Sequence, residues 1–290
     1  MPLIDPYAGV DWTRPGLGGN LHAHSTNSDG RAAPQAMLDA FARKGHGFCM
    51  LSDHDRWTSA TDLAALNGHG MVLLPGQEVT REGEHILQVG GTAPVAAEAD
   101  RQRVLDAISA NGGLAVMNHP NWFRENDHCR QERLMELRGY TGIEVANAVI
   151  DELEGDRWAF DRWDRLLGHG RRVWGFANDD AHGVEQVGQA WNTVYPQAPG
   201  ADGVIAALAA GRFAASTGLD LGSVHLDGES VTVVCPGASR IIALCDWGRR
   251  IAQVDGTSLR AHLPEKATYL RFACLGSGES GVWTQPFFRG

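Results

Sequence analysis

The hydrophobic pattern of the chain alternates between two kinds of segment from about residue 20 to about residue 215. Short apolar runs of β type are followed by longer runs whose apolar residues recur at helical spacing. The predicted strands are 48–51, 71–74, 114–117, 142–145 and 173–176, and the predicted helices are 34–45, 101–111, 154–167 and 203–210. Because strands that alternate with helices usually build a parallel sheet or barrel, the pattern predicts an α/β fold.

The pattern changes after Thr217. Short strand-like runs, such as 230–234 and 241–244, are then separated by Gly, Pro and Asp turns without helical spacing. We therefore predict two domains of ordinary size, an α/β domain of residues 1–217 and a small all-β sandwich of residues 218–290.

Composition narrows the class of protein. The 290 residues are 43% hydrophobic and carry a formal net charge of −10, which excludes a disordered or collagen-like chain and disfavours a broad nucleic-acid-binding face. The five cysteines are odd in number, widely spaced and form no C-x-x-C pair, as expected of reduced thiols in the cytoplasm. The sequence shows neither a signal peptide nor an apolar run of about 18 residues, so we expect no membrane partner.

Histidines and carboxylates follow the predicted strands one set after another. The carboxyl ends of parallel strands meet at the face where a barrel builds its site, so we expect these side chains to lie close together. They are His22, His24 and Asp29 near the start, His54 after 48–51, Glu78 after 71–74, His119 after 114–117, and Asp180 and His182 after 173–176.

These residue types predict a metal site. Neutral imidazoles and carboxylates are ligands for Zn²⁺, Mn²⁺ and Fe²⁺. His22 and His24 point the same way from an extended segment, and Glu78 can bridge two ions that hold a hydroxide between them. Each motif alone is weak, because an isolated histidine is usually structural, but the ordered set predicts a metal-dependent hydrolase.

The ordered motifs H-x-H-x(4)-D-G, S-D-H, G-x-E, N-H-P and D-x-H resemble those of the PHP (polymerase and histidinol phosphatase) family over residues 20–217. The resemblance implies a distorted (β/α)7 TIM-like barrel, two or three divalent ions (Zn, Mn or Fe) and phosphoester cleavage. The segments GRFAAST at 211–217 and GVWTQP at 281–286 are similar to a PHP subgroup that carries a C-terminal, Ig-like β-sandwich.

The resemblance also implies a distribution of ligands. The first ion would be held by His22, His24, Glu78 and Asp180, the second by Glu78 and His119, and the third by Asp29, His54 and His182. Where some family members supply a further histidine, this chain has Asn147, a possible extra ligand but a poor one for a transition metal.

Residues beside the motifs are further candidates. His85 could reach the ions or donate a proton to the leaving group, although a structural role is equally open. Three arginines next to the motifs, Arg31, Arg56 and Arg124, could bind a substrate phosphate.

Two tryptophans and three acids lie equally close in sequence. Trp57 and Trp122 could stack on a base or form the wall of an apolar pocket. Asp53, Asp55 and Asp179 are expected to hydrogen-bond to the ligand histidines. The remaining histidines, which include His128, have no ligand-like context and are expected to be structural.

Three functions remain open at this stage. The leading one is hydrolysis of a phosphomonoester or phosphodiester, from a small molecule or nucleotide, by attack of a metal-bound hydroxide. A carboxylic or carbamate ester could be cleaved by the same chemistry. A catalytically degenerate scaffold that binds partners through its β module is the third alternative, against which the near-complete ligand set argues. The oligomeric state is left open.

Overall fold

The computed structural model describes residues 3–123 and 128–290 and has an α/β fold. The helices are α1 (Pro34–Arg43), α2 (Ala60–Ala64), α3 (Arg101–Ala110), α4 (Gln131–Glu136), α5 (Phe160–Gly168) and α6 (Gly200–Ala209). The strands up to residue 217 are β1 (Leu3–Ile4), β2 (Leu17–Asn20), β3 (Phe48–Met50), β4 (Val72–Leu74), β5 (Gly76–Val79), β6 (Ile86–Val89), β7 (Leu114–Met117), β8 (Gly142–Asn147), β9 (Trp174–Asn178), β10 (Trp191–Val194) and β11 (Phe213–Ser216). In these ranges no helix combines the length and apolar composition needed to cross a membrane.

Helix α1 shows why the predicted helices form. Pro34 occupies the start of the helix, where its missing N–H costs nothing, and Met37, Leu38 and Phe41 are buried on one face. Gly45 follows the helix with φ +83°, a conformation that glycine adopts without a steric penalty.

Helix α5 begins six residues later than the predicted start at residue 154. The segment before it is extended, with isolated bridges from Gly155 to Trp122 and from Trp158 to Ala146. Its backbone groups are therefore hydrogen-bonded to neighbouring loops, and tertiary pairing outweighs the helical pattern there.

The strands of the first part form two parallel groups, β2-β3-β4 and β7-β8-β9. The predicted alternation is broken between them, because a short turn and not a helix connects β5 to β6, and β5, β6 and β7 pair antiparallel. An isolated parallel bridge from Ala23 to Ala181 links the two groups just beyond the ends of β2 and β9, and a second from His54 to Glu78 links the segment after β3 to β5. The polar segments that follow the strands are thereby brought together.

The strands after residue 217 are β12 (Ser223–Asp227), β13 (Ser230–Val234), β14 (Arg240–Cys245), β15 (Arg249–Val254), β16 (Ser258–His262), β17 (Tyr269–Leu275), β18 (Gly281–Thr284) and β19 (Phe287–Arg289). Strands β12, β13 and β16 form an antiparallel sheet. Its Val231 and Val233 share a buried cluster with Ile241 of β14 and Phe272 of β17. This part is therefore all β, with two sheets around one apolar core.

Backbone pairing continues across the predicted boundary at residues 217 and 218. Strand β11 pairs with β18, and β1 pairs with β19 near the end of the chain. The Tyr7 hydroxyl donates to the carbonyl of Phe213 and accepts the N–H of Gln285. The two parts thus share a sheet, and the domain boundary stays a prediction.

Candidate metal centre

The structure brings all eight predicted metal ligands together. Their ligating atoms form overlapping groups in which every atom lies within 4.8 Å of the others. These groups are His22, His24 and Asp180; His22, Glu78 and His119; and His24, Asp29, His54 and His182. The eight residues therefore lie close together, as expected from their positions after the strands. Their role as ion ligands stays a prediction.

Glu78 lies at the centre of the cluster and is fully buried. Its Oε1 is 3.3 Å from His22 Nε2 and 3.4 Å from His119 Nε2. Its Oε2 is 3.6 Å from His24 Nε2 and 2.7 Å from His54 Nδ1. The two carboxylate oxygens therefore face different histidines, as a carboxylate that bridges two ions must.

The other two carboxylates differ in depth. Asp180 is buried, and its Oδ1 lies 3.1 Å from His22 Nε2 and 3.0 Å from His24 Nε2. Asp29 has a side chain that is 55% exposed, and its Oδ2 lies 3.4 Å from His54 Nε2 and 3.5 Å from His182 Nε2. The cluster therefore has a buried part around Asp180 and a part around Asp29 that is open to solvent.

Five buried side-chain atoms of the predicted ligands make no hydrogen bond: His22 Nε2, His24 Nδ1, His54 Nδ1, Glu78 Oε2 and His119 Nδ1. The 2.7 Å approach of His54 Nδ1 to Glu78 Oε2 lacks hydrogen-bond geometry. Unsatisfied buried polar atoms are costly, and several of them converging on one point indicate a missing binding partner. A divalent cation fits, because imidazole nitrogen and carboxylate oxygen are the donors that Zn²⁺, Mn²⁺ and Fe²⁺ accept.

The pKa shifts describe the protein before it binds an ion. Burial opposes the charge of Glu78, but the field of His22 and His85 outweighs it and holds the pKa well below its usual value. Burial also opposes the charge of His54, yet its contacts with Asp29 and Glu78 raise its pKa to about 10. Burial lowers the pKa of His24. A cation that binds to His54 must therefore displace a proton from its ring.

Glu144 is a site residue that the sequence reasoning missed. Its Oε1 lies 2.8 Å from His22 Nδ1, and its Oε2 accepts the backbone N–H of His119 at 2.8 Å. A carboxylate only accepts, so Nδ1 of His22 carries a proton, and once the ring is neutral Nε2 is the atom that can bind a cation. The signal that could have found it is its charge, because Glu144 is the one charged residue of the buried strand β8.

We expected Asp53, Asp55 and Asp179 to hydrogen-bond to the ligand histidines, and this expectation was wrong. Asp53 accepts hydrogen bonds from Ser25 and Ser28 in the loop that follows His24. Asp55 accepts from Thr80 and Arg81, and Asp179 accepts three backbone N–H groups of residues 188–190. These acids therefore shape the loops that carry the ligands, while Glu144 orients a ligand directly.

His85 lies inside the cluster, with Nδ1 3.1 Å from Glu78 Oε1. It forms one potential ligand group with His54 and Glu78 and another with His119 and His128. Nε2 of His128 accepts the backbone N–H of His85 at 2.9 Å. His128 was expected to be a structural histidine outside the site, and the structure instead places it against His85.

Asn147 is buried beside the same carboxylates. Its Nδ2 donates to Glu144 Oε2 at 2.8 Å and to Asp180 Oδ2 at 3.1 Å, and its Oδ1 is buried without a partner. The amide therefore orients Asp180, and a direct ligand role stays a prediction.

The candidate substrate residues separate in space. Arg31 and Trp122 line the cavity over the cluster, where the guanidinium of Arg31 pairs with Glu185. Arg56 and Trp57 line a different cavity beside α2. The backbone of Asp55, at φ +48°, turns the chain there, which explains why proximity in sequence did not bring Arg56 to the site. Arg124 lies outside the described residues.

Comparisons by sequence find no match among protein-family models or curated proteins. Similar solved structures exist. A Bacteroides vulgatus two-domain protein containing a predicted PHP-like metal-dependent phosphoesterase aligns over 100% of this chain and 90% of its own, with 15% identity and a TM-score of 0.57. A putative metal-dependent phosphoesterase of Bifidobacterium adolescentis aligns over 59% of this chain and 90% of its own, with 16% identity and a TM-score of 0.45. A Pyrococcus furiosus lesion-specific endonuclease aligns over 79% and 62%, with 14% identity and a TM-score of 0.48.

The alignment with the Bacteroides protein spans both parts of the chain. The chain therefore has the fold of a two-domain PHP-like protein, and the resemblance to the PHP family is confirmed at the level of the fold.

Proposed function

We propose that this chain is a metal-dependent hydrolase that cleaves phosphoesters. The observation that carries the proposal is the arrangement around Glu78, whose two oxygens face different histidines with unpartnered buried nitrogens. Divalent ions such as Zn²⁺, Mn²⁺ or Fe²⁺, when bound, lower the pKa of water toward ~7 and balance negative charge on phosphoryl oxygens. The Bacteroides protein of similar fold, which contains a predicted phosphoesterase, supports the choice of bond.

The proposed distribution of ligands follows the three groups of the cluster. His22, His24, Glu78 and Asp180 hold the first ion, Glu78 and His119 the second, and Asp29, His54 and His182 the third. We assign His85 to the second group, because its Nδ1 lies 3.1 Å from Glu78 Oε1 and it shares a potential ligand group with His119. Its alternative role is that of a general acid toward the leaving group.

Protein groups prepare the site for this reaction. Glu144 fixes the tautomer and orientation of His22 and holds the backbone of His119. Trp122 covers one side of the cavity, with its ring centroid 5.3 Å from that of His119, and restricts the access of water. Arg31 contributes a guanidinium at the cavity edge, which can bind a phosphate oxygen only by loosening its pair with Glu185.

The remaining parts of the proposal concern the scaffold and the surroundings. The bridge between the two strand groups supports closure into a distorted (β/α)7 barrel, with residues 218–290 as an Ig-like packing module. Five buried thiols, all unpaired, fit the reducing cytoplasm. The partner is a small-molecule or nucleotide phosphoester.

The test is hydrolysis of nitrophenyl phosphate, bis-nitrophenyl phosphate and nitrophenyl acetate with Mn²⁺, with and without a chelator. We expect chelator-sensitive release from a phosphate ester by the wild type and a loss of at least ~1000-fold in His22→Ala, since a ligand of a water-activating ion is removed. His69→Ala is the matched control, because His69 pairs with Asp39 on the surface and should keep full activity.

The other outcomes contradict the proposal in different ways. Turnover of the acetate alone would assign the chain to acyl-ester hydrolysis. A folded, Mn²⁺-loaded protein that releases nothing from any of the three esters would favour the degenerate scaffold.

A further inference from the structure

Three exposed apolar side chains lie in the loops that follow the strands next to the metal centre. Among the described residues, the large hydrophobic side chains with substantial exposure are Ile4, Phe123, Leu153, Val184 and Trp247. Phe123, Leu153 and Val184 are 40%, 46% and 39% exposed, and they lie in the three loops that follow β7, β8 and β9. The same loops or strand ends carry His119, Asn147 and Asp180. Of the three apolar side chains, Leu153 also lines the cavity over the metal centre, where an exposed apolar side chain is available to a ligand.

The cavity over the metal centre is lined by both apolar residues and residues that could bind an ion. Its volume is about 360 Å³, at the lower end of the range for small-molecule sites. The apolar lining residues are Trp122, Val149, Ile150 and Leu153, here called the apolar wall, and the lining residues that could bind an ion include His54, His119, Asp180 and His182, here called the ligating wall. The cavity therefore fits one small ligand whose two ends differ in polarity.

The charges at the edge disfavour a second anionic group. Of the described residues that line the cavity, Arg31 is the one lysine or arginine, and Glu185 already pairs with it. Glu152 also lines the cavity, where its carboxylate accepts a hydrogen bond from Gln186 at 2.7 Å. Asp29 adds a third acid on the exposed side. A substrate with a second phosphate would place like charges side by side in a partly dry site.

We propose that the substrate is a phosphate monoester of a small, uncharged alcohol with an apolar or aromatic group. This inference rests on the proposed function and deepens it. The phosphoryl end lies over the ligating wall, and the organic group lies against Trp122, Ile150 and Leu153. In the reaction, an oxygen of water bonds to phosphorus, the ester P–O bond breaks, and the alcohol and inorganic phosphate leave with the two protons of the water.

The test compares benzyl phosphate with glycerol 1-phosphate, two esters of primary alcohols that differ in the polarity of the organic group. For the Mn²⁺-loaded wild type we expect kcat/KM to be about 10- to 100-fold higher for benzyl phosphate, the discrimination that apolar contacts supply. Leu153→Asn should lower this ratio about 3- to 10-fold, mainly through KM, because it removes apolar contact from the wall. Ile4→Asn is the matched control, since Ile4 is 41% exposed on β1 and should leave the ratio unchanged.

Binding of two phosphonates that cannot be hydrolysed separates the two proposals. Benzylphosphonate should bind the Mn²⁺-loaded protein more tightly than 2-hydroxyethylphosphonate, and Leu153→Asn should reduce the difference. Equal binding and equal kcat/KM for the two esters would overturn the inference and leave phosphoester hydrolysis standing. Preferential binding of benzylphosphonate without turnover of either ester would overturn the proposed function and retain the ligand class. A preference for bisphosphates or for dinucleotides would overturn the monoester assignment.

Discussion

Glu144→Gln tests whether the buried carboxylate of β8 controls the metal centre through His22. Glu144 faces four donors: His22 Nδ1 and Asn178 Nδ2 at Oε1, and the N–H of His119 and Asn147 Nδ2 at Oε2, all at 2.8 Å. Glutamine has the same shape but offers one acceptor oxygen and an NH₂ group. Two of the four donors must therefore face another donor.

Both orientations of the new amide are unfavourable. If NH₂ faces Asn147 and His119, the backbone N–H of His119 loses its acceptor, and Asn147 can flip only by losing its hydrogen bond to Asp180. If NH₂ faces His22, the ring must accept at Nδ1 and carry its proton on Nε2, which prevents Nε2 from binding an ion. Asn178 cannot adapt without loss, because its Oδ1 already accepts from Leu21 and Asn192.

The expected magnitudes follow from these losses. With hydrogen bonds to charged groups at ~1.5–3 kcal/mol each, one or two lost bonds lower the free energy of unfolding of the metal-free protein by about 2–4 kcal/mol. Loss of the group that orients a ligand histidine should weaken Mn²⁺ binding about 10- to 100-fold. The field of His22 outweighs burial and lowers the pKa of Glu144, so its stabilising charge is present at neutral pH and is lost only as the pH falls through the lowered pKa.

Calorimetric titration with Mn²⁺ and urea unfolding of the metal-free protein measure the two effects. Asp164→Asn is the matched control: Asp164 is a buried carboxylate that accepts from Tyr269 and Arg271, remote from the metal centre. Breaking that buried pair should cost about 3–5 kcal/mol of stability and leave Mn²⁺ affinity unchanged. Wild-type affinity in Glu144→Gln, or an equal loss of affinity in Asp164→Asn, would refute the reasoning.

Three further predictions concern single groups of the site. His54, whose pKa is raised to about 10, must lose its proton to bind an ion, so Mn²⁺ affinity should rise with pH from about 6.5 toward 10, and over the same window the metal-free protein should lose stability. The pKa values of His22 and His182 are also raised, so a pH series of titrations and melts should show both trends reduced by about one proton in His54→Asn, and unchanged trends would contradict the prediction. Asn147→Asp places a third negative charge beside Glu144 and Asp180, so the metal-free protein should lose about 2–4 kcal/mol of stability. Thermal melts with Mn²⁺ should show most of this stability restored. A variant that melts like the wild type without metal would contradict this prediction. Arg31→Gln should raise KM for a phosphate ester about 3- to 10-fold with little change in kcat, because Arg31 lines the cavity over the metal centre. Arg56→Gln, in the other cavity, should leave steady-state kinetics unchanged. Equal effects of the two substitutions would refute the assignment of Arg31 to substrate binding.

The proximity of the proposed metal ligands was predictable, because their positions depend on strand ends, which the local sequence pattern reveals. Strand β7 occupies the predicted range 114–117, so the position of His119 beyond its end followed directly. The same logic placed His54 after β3 and Asp180 after β9. A shift of one or two residues in a strand boundary does not remove a ligand from that edge of the sheet, so the prediction tolerated boundary errors.

Other features depend on pairing between distant segments, which the pattern does not show. His128 reaches His85 across 43 residues, through a hydrogen bond to its backbone. The direction of Arg56 depends on the left-handed backbone of Asp55, which is set by contacts with Thr80 and Arg81. The late start of α5 likewise depends on pairing of Gly155 with Trp122.

The backbone of the site shows that the ligands are held against a conformational preference. His119 and Asp180 have φ values of +26° and +55°, where a residue other than glycine costs of order 1–3 kcal/mol. Each residue is hydrogen-bonded to a side chain of β8. Glu144 accepts the N–H of His119, and Asn147 donates to Asp180. Each therefore gains a charge-assisted hydrogen bond that offsets its strain. Because those bonds also fix where the ligating atoms point, the strain and the geometry of the metal centre have a common origin, and β8 is the element that sets both.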